Sequence, residues 1–245
     1  MASKNFASLS IQPGRTGTFF YSKGFNYLNL DASYRAFSCK NVVEFREFVY
    51  NSNYHGISVS MPFKSIALEI AQIKHESAVS AQCANTLLRK QDNLYQGFST
   101  DLEGMNWLVN EIISGQTAIL GNGAMGKMLA QQLSSQKRPH KVFARKLNNW
   151  DQRHGDFDTI VNCTALGTSS PESPLSSVRF GSTVVDLSIS RGEFEGVAVK
   201  NRATYVPGIR FYGHVFKSQF EIYTGCEIPF RLISQWEQDW IKNYA

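Results

Sequence analysis

The chain has 245 residues, of which 42% are hydrophobic and 18% charged, as in an ordinary folded protein of one large domain or two small ones. The net charge of +5 comes from scattered lysines and arginines rather than from a dense basic run, so it favours small anionic ligands over nucleic acid. The four cysteines are far apart and form no C-x-x-C pair, which argues against a disulfide scaffold and a cysteine-rich metal site. The first residues lack the apolar core of a signal peptide, and no stretch of about 18 apolar residues occurs. We therefore expect a cytoplasmic protein with reduced thiols that binds no membrane, metal or nucleic acid.

The first hundred residues alternate between strand-like and helix-like stretches. Strands are predicted at residues 6–11, 32–37 and 56–60, and helices at residues 19–30, 42–50 and 64–73. Residues 85–88 and 94–98 flank the polar turn at residues 90–93 and predict a hairpin. This alternation predicts an α/β domain over residues 1–102.

A second alternating series follows. A helix is predicted at residues 101–113, and strands at residues 117–120, 141–144, 158–163, 183–187 and 203–206. This layout is typical of a doubly wound, Rossmann-type domain, placed at residues 103–210. Residues 211–245 predict two helices broken at Gly225 and Pro229, the second with an apolar stripe that packs on the protein itself.

A glycine-rich loop follows the first strand of this second series. Gly121, Gly123 and Gly126 form the pattern G-x-G-x-x-G, between an apolar strand and a helix-forming run. In that context the unpaired backbone N–H groups of the helix start, at Ala124 and Met125, bind the diphosphate of a dinucleotide. The alternative interpretation is a glycine-rich turn that binds no ligand.

Arg145 and Lys146 stand about twenty residues beyond the loop, at the place where a dinucleotide-binding domain selects between NAD and NADP. An acidic residue there binds the ribose 2′-hydroxyl, whereas a cationic pair suits a 2′-phosphate. The pair therefore favours NADP as the cofactor. The alternative is a solvated pair of charges after a strand.

Several short motifs, in chain order, share residues with one protein family. Residues 58–64 (SVSMPFK) are similar to N-V-T-x-P-x-K, residues 84–86 (ANT) to V-N-T, and residues 97–104 (GFSTDLEG) to G-x-N-T-D-x-x-G. Further along, residues 144–146 (ARK) take the place of N-R-T, residues 162–167 resemble N-x-T-x-x-G, and residues 220–225 resemble F-E-L-W-T-G. Together these motifs resemble the shikimate dehydrogenase family over nearly the whole chain.

The resemblance implies a substrate domain at residues 1–102, completed by the C-terminal helices, with an NADP domain between them. It places the catalytic pair at Lys64 and Asp101 and a hydrogen bond to a substrate hydroxyl at Asn85. It also implies cofactor contacts at Asn162, Thr164 and Gly208. A lysine flanked by a carboxylate can exchange the hydroxyl proton that must leave when a carbinol carbon loses a hydride. The alternatives are a surface lysine at a helix start and an aspartate that caps a helix.

The sequence departs from the family at three expected substrate contacts. The N-terminal S-x-S-P appears as Arg15-Thr16-Gly17-Thr18, which is closer to the G-T-x-F of the shikimate dehydrogenase-like branch. The family tyrosine falls at Ile189 and the family glutamine at Val215, with Gln219 one helical turn away. We assign substrate contacts to Thr18, Arg15, Ser60 and Gln219. Arg15 either pairs with a substrate carboxylate or faces solvent.

Ile189, Val215, Phe20 and Tyr21 suggest a more apolar pocket and a less hydroxylated substrate. The leading hypothesis is an NADP-dependent dehydrogenase of the shikimate/quinate type that acts on a small carboxylic acid, as a monomer or homodimer. The alternatives are a recruited imine or enone reductase and a non-catalytic NADP-binding protein.

Overall fold

The computed structural model describes residues 3–153, 155–164, 181–189 and 193–244. The chain divides by packing into two compact units. The first unit contains Met1–Leu102 and Val215–Trp236, and the second contains Glu103–His214 and Glu237–Ala245. The division differs from the sequence-based one at the C-terminus, because only the middle of residues 211–245 packs with the N-terminal unit.

Strands and helices alternate along the described residues. The strands are β1 (Lys4–Ser10), β2 (Ala32–Ser38), β3 (Gly56–Val59), β4 (Ile73–Lys74), β5 (Thr86–Arg89), β6 (Tyr95–Phe98), β7 (Thr117–Leu120), β8 (His140–Phe143), β9 (Thr159–Asn162), β10 (Thr183–Asp186) and β11 (Thr204–Pro207). The α-helices are α1 (Thr16–Tyr27), α2 (Val42–Asn51), α3 (Lys64–Ile70), α4 (Glu76–Ala81), α5 (Asp101–Trp107), α6 (Ala124–Ser135), α7 (Glu193–Lys200), α8 (Gly208–Thr224) and α9 (Phe230–Tyr244).

The first unit is built on a mixed sheet with the strand order β2-β1-β3-β5-β6-β4. Strands β2, β1 and β3 are parallel, and β5 reverses direction beside β3. The predicted hairpin is confirmed: β5 and β6 are antiparallel and joined by a 3₁₀ turn at Gln91–Asn93. As a result, the start of β5 lies beside the carboxyl ends of its two neighbours, β3 and β6.

The second unit is built on a parallel sheet with the strand order β11-β10-β9-β7-β8. The chain order reverses between β7 and β9, which makes their carboxyl ends the switch point where such sheets bind ligands. The core strands are almost entirely apolar and buried, as expected for a parallel sheet covered on both faces. The predicted fold class, an N-terminal α/β unit plus a Rossmann-type unit, is confirmed.

The helix predicted at residues 101–113 is α-helical only as far as Trp107. It continues as a π-helical turn at Leu108–Ile112. The guanidinium of Arg138 donates to the carbonyl oxygens of Val109 and Ile113, so a side chain satisfies backbone groups that a regular helix end leaves open.

The last helix, α9, carries an apolar stripe, as predicted. Ile233, Trp236 and Trp240 are buried. In the first unit, the ring of Trp236 packs edge-on against Phe20 of α1, with the ring centres 6.5 Å apart. None of the helices in the described ranges is both long and apolar enough to cross a membrane.

Candidate functional site

Lys64 and Asp101 form an ion pair at the carboxyl ends of β3 and β6 in the first unit's sheet. Lys64 opens α3 just after β3, and Asp101 opens α5 just after β6. The Nζ of Lys64 lies 2.6 Å from Oδ2 of Asp101, and the two side chains are 14% and 6% exposed. Lys64 is therefore not a surface lysine. Partial burial strengthens the attraction between the charges and holds the ammonium group in one position.

Asn85 lies beside this pair, immediately before β5, and is buried. Its Oδ1 accepts hydrogen bonds from the backbone N–H of Thr100 (2.9 Å) and from the hydroxyls of Thr86 (2.8 Å) and Thr100 (3.1 Å). The amide nitrogen has no acceptor among the described residues. The protein thus fixes the orientation of this amide and presents its N–H groups as donors.

Gln219, assigned above as a substrate contact, is buried in the first unit, and its amide is fully hydrogen-bonded. Its Oε1 accepts from the hydroxyls of Tyr21 (2.9 Å) and Ser58 (2.8 Å). Its Nε2 donates to the carbonyl of Asn85 (3.2 Å) and to the hydroxyl of Thr86 (2.6 Å). An amide offers two donors and about two acceptor positions, so no hydrogen-bonding capacity is left for a ligand.

The network continues from Ser58 to two tyrosines that sequence reasoning did not identify. The hydroxyl of Ser58 lies 3.1 Å from that of Tyr223, and the Tyr34 hydroxyl bonds the side chains of Ser58 and Ser8. Burial raises the pKa of Tyr34 to about 12. Ser58 is the first residue of the N-V-T-like motif, and this position was the sequence feature that could have pointed to the network. These hydroxyls satisfy one another within the protein.

The remaining predicted substrate contacts lie near the surface. Arg15 is exposed at the start of α1, where its carbonyl accepts from the hydroxyl of Thr18 at 2.9 Å. Ser60 is exposed at the end of β3, where its N–H donates to the carbonyl of Leu9 at 3.0 Å. Since β1 and β3 are parallel neighbours, the segments that follow them lie at the same end of the sheet. The start of α1 and Ser60 are therefore at the same end as Lys64.

The residues expected to make the pocket apolar are divided between the two units. Phe20, Tyr21 and Val215 are buried in the core of the first unit. Ile189 instead borders a separate cavity in the second unit, with Tyr205 and Ile209. The apolar pocket expected from these four residues stays a prediction.

The glycine loop connects β7 to α6 at the switch point of the second sheet. Gly121 has a φ of +106°, a conformation that favours glycine. A Cβ at Gly126 would lie 2.1 Å from the carbonyl oxygen of Gly121, whereas a Cβ at Gly123 would meet no atom within 4 Å. Gly123 caps α6 without any side-chain hydrogen bond, so the first N–H groups of the helix, including those of Ala124 and Met125, remain available to an anion.

A cavity of about 340 Å³ lies over this loop. Its lining residues are Gly121, Asn122, Gly123, Ala144, Arg145, Lys146, Trp150, Cys163 and Thr164. Arg145 and Lys146 are exposed after β8, the strand next to β7. The cavity thus joins a helix start, two cations and an open glycine, which fits a dinucleotide with an additional phosphate.

Asn162 supports this cavity without lining it. It is fully buried at the end of β9, and its Oδ1 accepts from the N–H (3.0 Å) and the hydroxyl (2.6 Å) of Thr164. Its Nδ2 donates to Oδ1 of Asp186 at 3.0 Å. Burial raises the pKa of Asp186 to about 6. Asn162 therefore positions Thr164, which borders the cavity.

The remaining predicted cofactor residues are only partly described. Gly208 opens α8, and a Cβ there would lie 2.4 Å from the carbonyl oxygen of Ser188, so this glycine permits close backbone packing. Residues 165–167, the end of the N-x-T-x-x-G-like motif, lie outside the described residues. Nowhere in the described ranges do three or more His, Cys, Asp or Glu side chains gather as a metal site would require.

Comparison with known proteins shows what part of the first unit is similar to. Residues 17–87 match the family model of the shikimate dehydrogenase substrate binding domain. The chain is 32% identical over 129 residues, half of its length, to the shikimate dehydrogenase (NADP(+)) of Prochlorococcus marinus. It is 25% identical over 179 residues, 65% of its length, to a shikimate dehydrogenase-like protein of Haemophilus influenzae. These alignments span 45% and 65% of the relatives' own lengths.

The fold is also that of solved structures. The shikimate 5-dehydrogenase of Thermus thermophilus, in complex with NADP(H) and shikimate, superposes with a TM-score of 0.81 at 18% identity. The match covers 96% of this chain and 99% of that one. At this identity the likeness shows the fold. Residues 17–87 thus match a shikimate dehydrogenase substrate binding domain, and the resemblance of the chain to the shikimate dehydrogenase family is confirmed.

Proposed function

We propose that this protein is an NADP-dependent oxidoreductase of the shikimate/quinate dehydrogenase type, which transfers hydride between NADP(H) and a ring alcohol or ketone. The observation that carries the proposal is the ion pair of Lys64 and Asp101, with the N–H groups of Asn85 beside it. A pair of this kind suits proton transfer at a carbinol oxygen. The names of the curated relatives support NADP as the cofactor.

Lys64 is the group that handles the proton. When an alcohol is oxidised, its carbon loses a hydride and its oxygen loses a proton, and the bound NADP⁺ supplies the hydride acceptor. Lys64 Nζ holds the substrate oxygen by a hydrogen bond and exchanges its proton there. Asp101 keeps Nζ oriented through their 2.6 Å contact. Asn85 donates to a neighbouring substrate oxygen and so orients the ring.

The cofactor is held by the second unit. The N–H groups at the start of α6 bind the diphosphate, and Arg145 and Lys146 bind the 2′-phosphate. The two cations argue for NADP over NAD, since each would form a charge-assisted bond that NAD cannot accept.

The substrate is a small carboxylic acid, with shikimate and quinate as the first candidates. A second candidate is a carbonyl acid with fewer hydroxyls. It is favoured by Gln219 and Ser58, whose polar groups are bonded within the protein and so are not offered to a polyhydroxylated ring. A hydroxyl buried without a partner costs about 1–3 kcal/mol, enough to change the preferred substrate.

The test is NADP⁺ reduction with shikimate and with quinate, followed by NADPH absorbance, with NAD⁺ in parallel. We expect turnover with NADP⁺ that falls about 10²- to 10⁴-fold in Lys64→Ala, the range of general acid–base catalysis. The matched control is Lys74→Ala, which removes a lysine from β4 of the same unit and leaves turnover unchanged.

The outcomes separate the hypotheses. Turnover with neither acid, together with tight NADP⁺ binding, moves the search to less hydroxylated ketones and to imines. If a substrate is found and Lys64→Ala turns it over at the wild-type rate, the proposed role of Lys64 is wrong. If no carbonyl, imine or enone in a broad panel oxidises NADPH, the non-catalytic alternative is favoured.

A further inference from the structure

The cavity over the glycine loop has an aromatic wall that none of the sequence motifs explains. Trp150 borders the same space as Arg145 and Lys146, four residues further along the chain than Lys146. It opens a 3₁₀ turn at Trp150–Gln152. Its indole is partly exposed, although it also packs on the core cluster of the second unit that contains Phe143 and Phe157.

The position of Trp150 is fixed from the backbone. The side chain of the preceding residue, Asn149, accepts from the N–H of Ala144 at 2.9 Å and donates to the carbonyl of Val142 at 2.8 Å. These bonds fasten the turn to the end of β8. Trp150 is therefore presented to the cavity by a structured segment.

The indole is also held by a cation. The guanidinium of Arg153 lies 4.5 Å from the centre of the Trp150 ring, and its Nη1 donates to the carbonyl of Trp150 at 2.5 Å. The Arg153 side chain is only 9% exposed and lies 3.7 Å from a carboxylate oxygen of Asp151. Arg153 thus contacts both the ring and the backbone of Trp150. The guanidinium and the core cluster cover part of the indole, and the partly exposed remainder of the residue borders the cavity.

We propose that Trp150 is the adenine-binding residue of the cofactor site, and that the base packs against its indole. This inference rests on the proposed use of NADP. In NADP the adenine and the 2′-phosphate are attached to the same ribose, so the base must lie within one sugar of the groups that bind the phosphate. Arg145 and Lys146 are those groups, and Trp150 is the aromatic side chain among the residues that line the cavity with them.

The test uses adenosine 2′,5′-bisphosphate, which carries the base and the 2′-phosphate but has no nicotinamide and undergoes no hydride transfer. Its Kd is measured by calorimetry for the wild-type protein, Trp150→Ala and Trp150→Phe. Stacking of a base on an aromatic residue predicts a loss of about 5- to 150-fold in Trp150→Ala. Trp150→Phe keeps a ring and retains most of the affinity. The control is Trp107→Phe in the same unit, where the ring stacks on His214 and lines no part of this cavity.

A second readout is the fluorescence of Trp150 itself. We expect the bisphosphate to quench the indole emission of the wild-type protein and of Trp107→Phe, and not that of Trp150→Phe. This readout tests the proposal even if Trp150→Ala does not fold. Wild-type affinity in a folded Trp150→Ala, or quenching that persists in Trp150→Phe, overturns the proposal.

The experiments distinguish a failure of the proposed adenine site from a failure of the proposed activity. If the bisphosphate binds and Trp150→Ala weakens it while no substrate is turned over, the adenine site stands and the activity is wrong. If NADP⁺ is turned over but the bisphosphate does not bind the wild-type protein, the adenine site is wrong and the activity stands.

Discussion

At the scale of single residues, the buried polar side chains of the first unit are mostly satisfied by one another. The side chain of Gln219 forms hydrogen bonds with four other residues, and the side-chain oxygen of Asn85, Oδ1, accepts three hydrogen bonds. At the predicted catalytic pair, two groups keep hydrogen-bonding capacity within the described residues: the Asn85 amide nitrogen, and the Lys64 ammonium, which has three N–H donors and contacts Asp101 with one of them. Because burying a polar group without a partner is costly, the groups left available mark where a ligand supplies the missing partner.

In the proposed function, two single residues select NADP over NAD. Replacing Arg145 and Lys146 by alanine together removes two charge-assisted contacts to a 2′-phosphate. We expect the Kd for NADP⁺ to rise about 10- to 100-fold and that for NAD⁺ to change little. Calorimetry with both nucleotides checks this, and Lys200→Ala, an exposed lysine at the end of α7, is the control. An equal loss for both nucleotides would show that the two cations do not read the 2′-phosphate.

At the scale of elements, two glycines between β7 and the first turn of α6, Gly123 and Gly126, have different surroundings. A Cβ at Gly126 collides with the backbone of Gly121, so this glycine allows the helix to pack against the strand. A Cβ at Gly123 would meet no atom within 4 Å, and Gly123 lines the cavity. We therefore expect Gly126 to serve packing and Gly123 to allow a ligand to approach the backbone.

This difference predicts a matched pair of variants. Gly126→Ala should lower the free energy of unfolding by about 1–3 kcal/mol, as expected for overpacking. Gly123→Ala should leave it within about 0.5 kcal/mol of the wild type, since its φ of −77° suits alanine, yet weaken NADP⁺ binding. Denaturant unfolding and calorimetry measure the two quantities. The interpretation is wrong if Gly123→Ala binds NADP⁺ like the wild type.

At the scale of the whole molecule, the stability depends on pH through buried acids. Burial raises the pKa of Glu237 from 4.5 to about 8, while the charge of Arg210 acts to lower it. Oε1 of Glu237 has no hydrogen-bond partner in the part of the chain that the structure describes. Between pH 4.5 and 8 the folded protein keeps this proton and the unfolded chain releases it. The free energy of unfolding therefore falls as the pH rises through this window.

Glu237→Gln removes the titration and keeps the shape of the side chain. We expect the variant to unfold like the wild type at pH 4.5 and to be more stable than the wild type at pH 8. Urea unfolding at several pH values measures the difference, with Glu227→Gln, an exposed glutamate, as the control. Identical pH profiles for Glu237→Gln and the wild type would show that Glu237 does not titrate in this range.

Local patterns were enough to predict much of this architecture. The hairpin of β5 and β6, the glycine loop and the paired C-terminal helices each depend on turn residues and on a hydrophobic period within a short window. The shift of strand bounds by one residue, as at β8 and β11, and the π-helical turn after α5 were not predictable in this way. The latter depends on Arg138, which comes from the following helix–strand connection.

The sequence by itself determined the family resemblance, the two α/β units and the positions of Lys64, Asp101 and the loop glycines, because those features lie in contiguous motifs. Only the tertiary structure decided that Gln219 is saturated by Tyr21, 198 residues away, and by Ser58, 161 residues away. It also decided that Trp150 shares a cavity with the two cations. The physical reason is that a hydrogen-bond partner or a cavity wall depends on the register of strands and helices distant in the chain, and no short window of sequence contains that register.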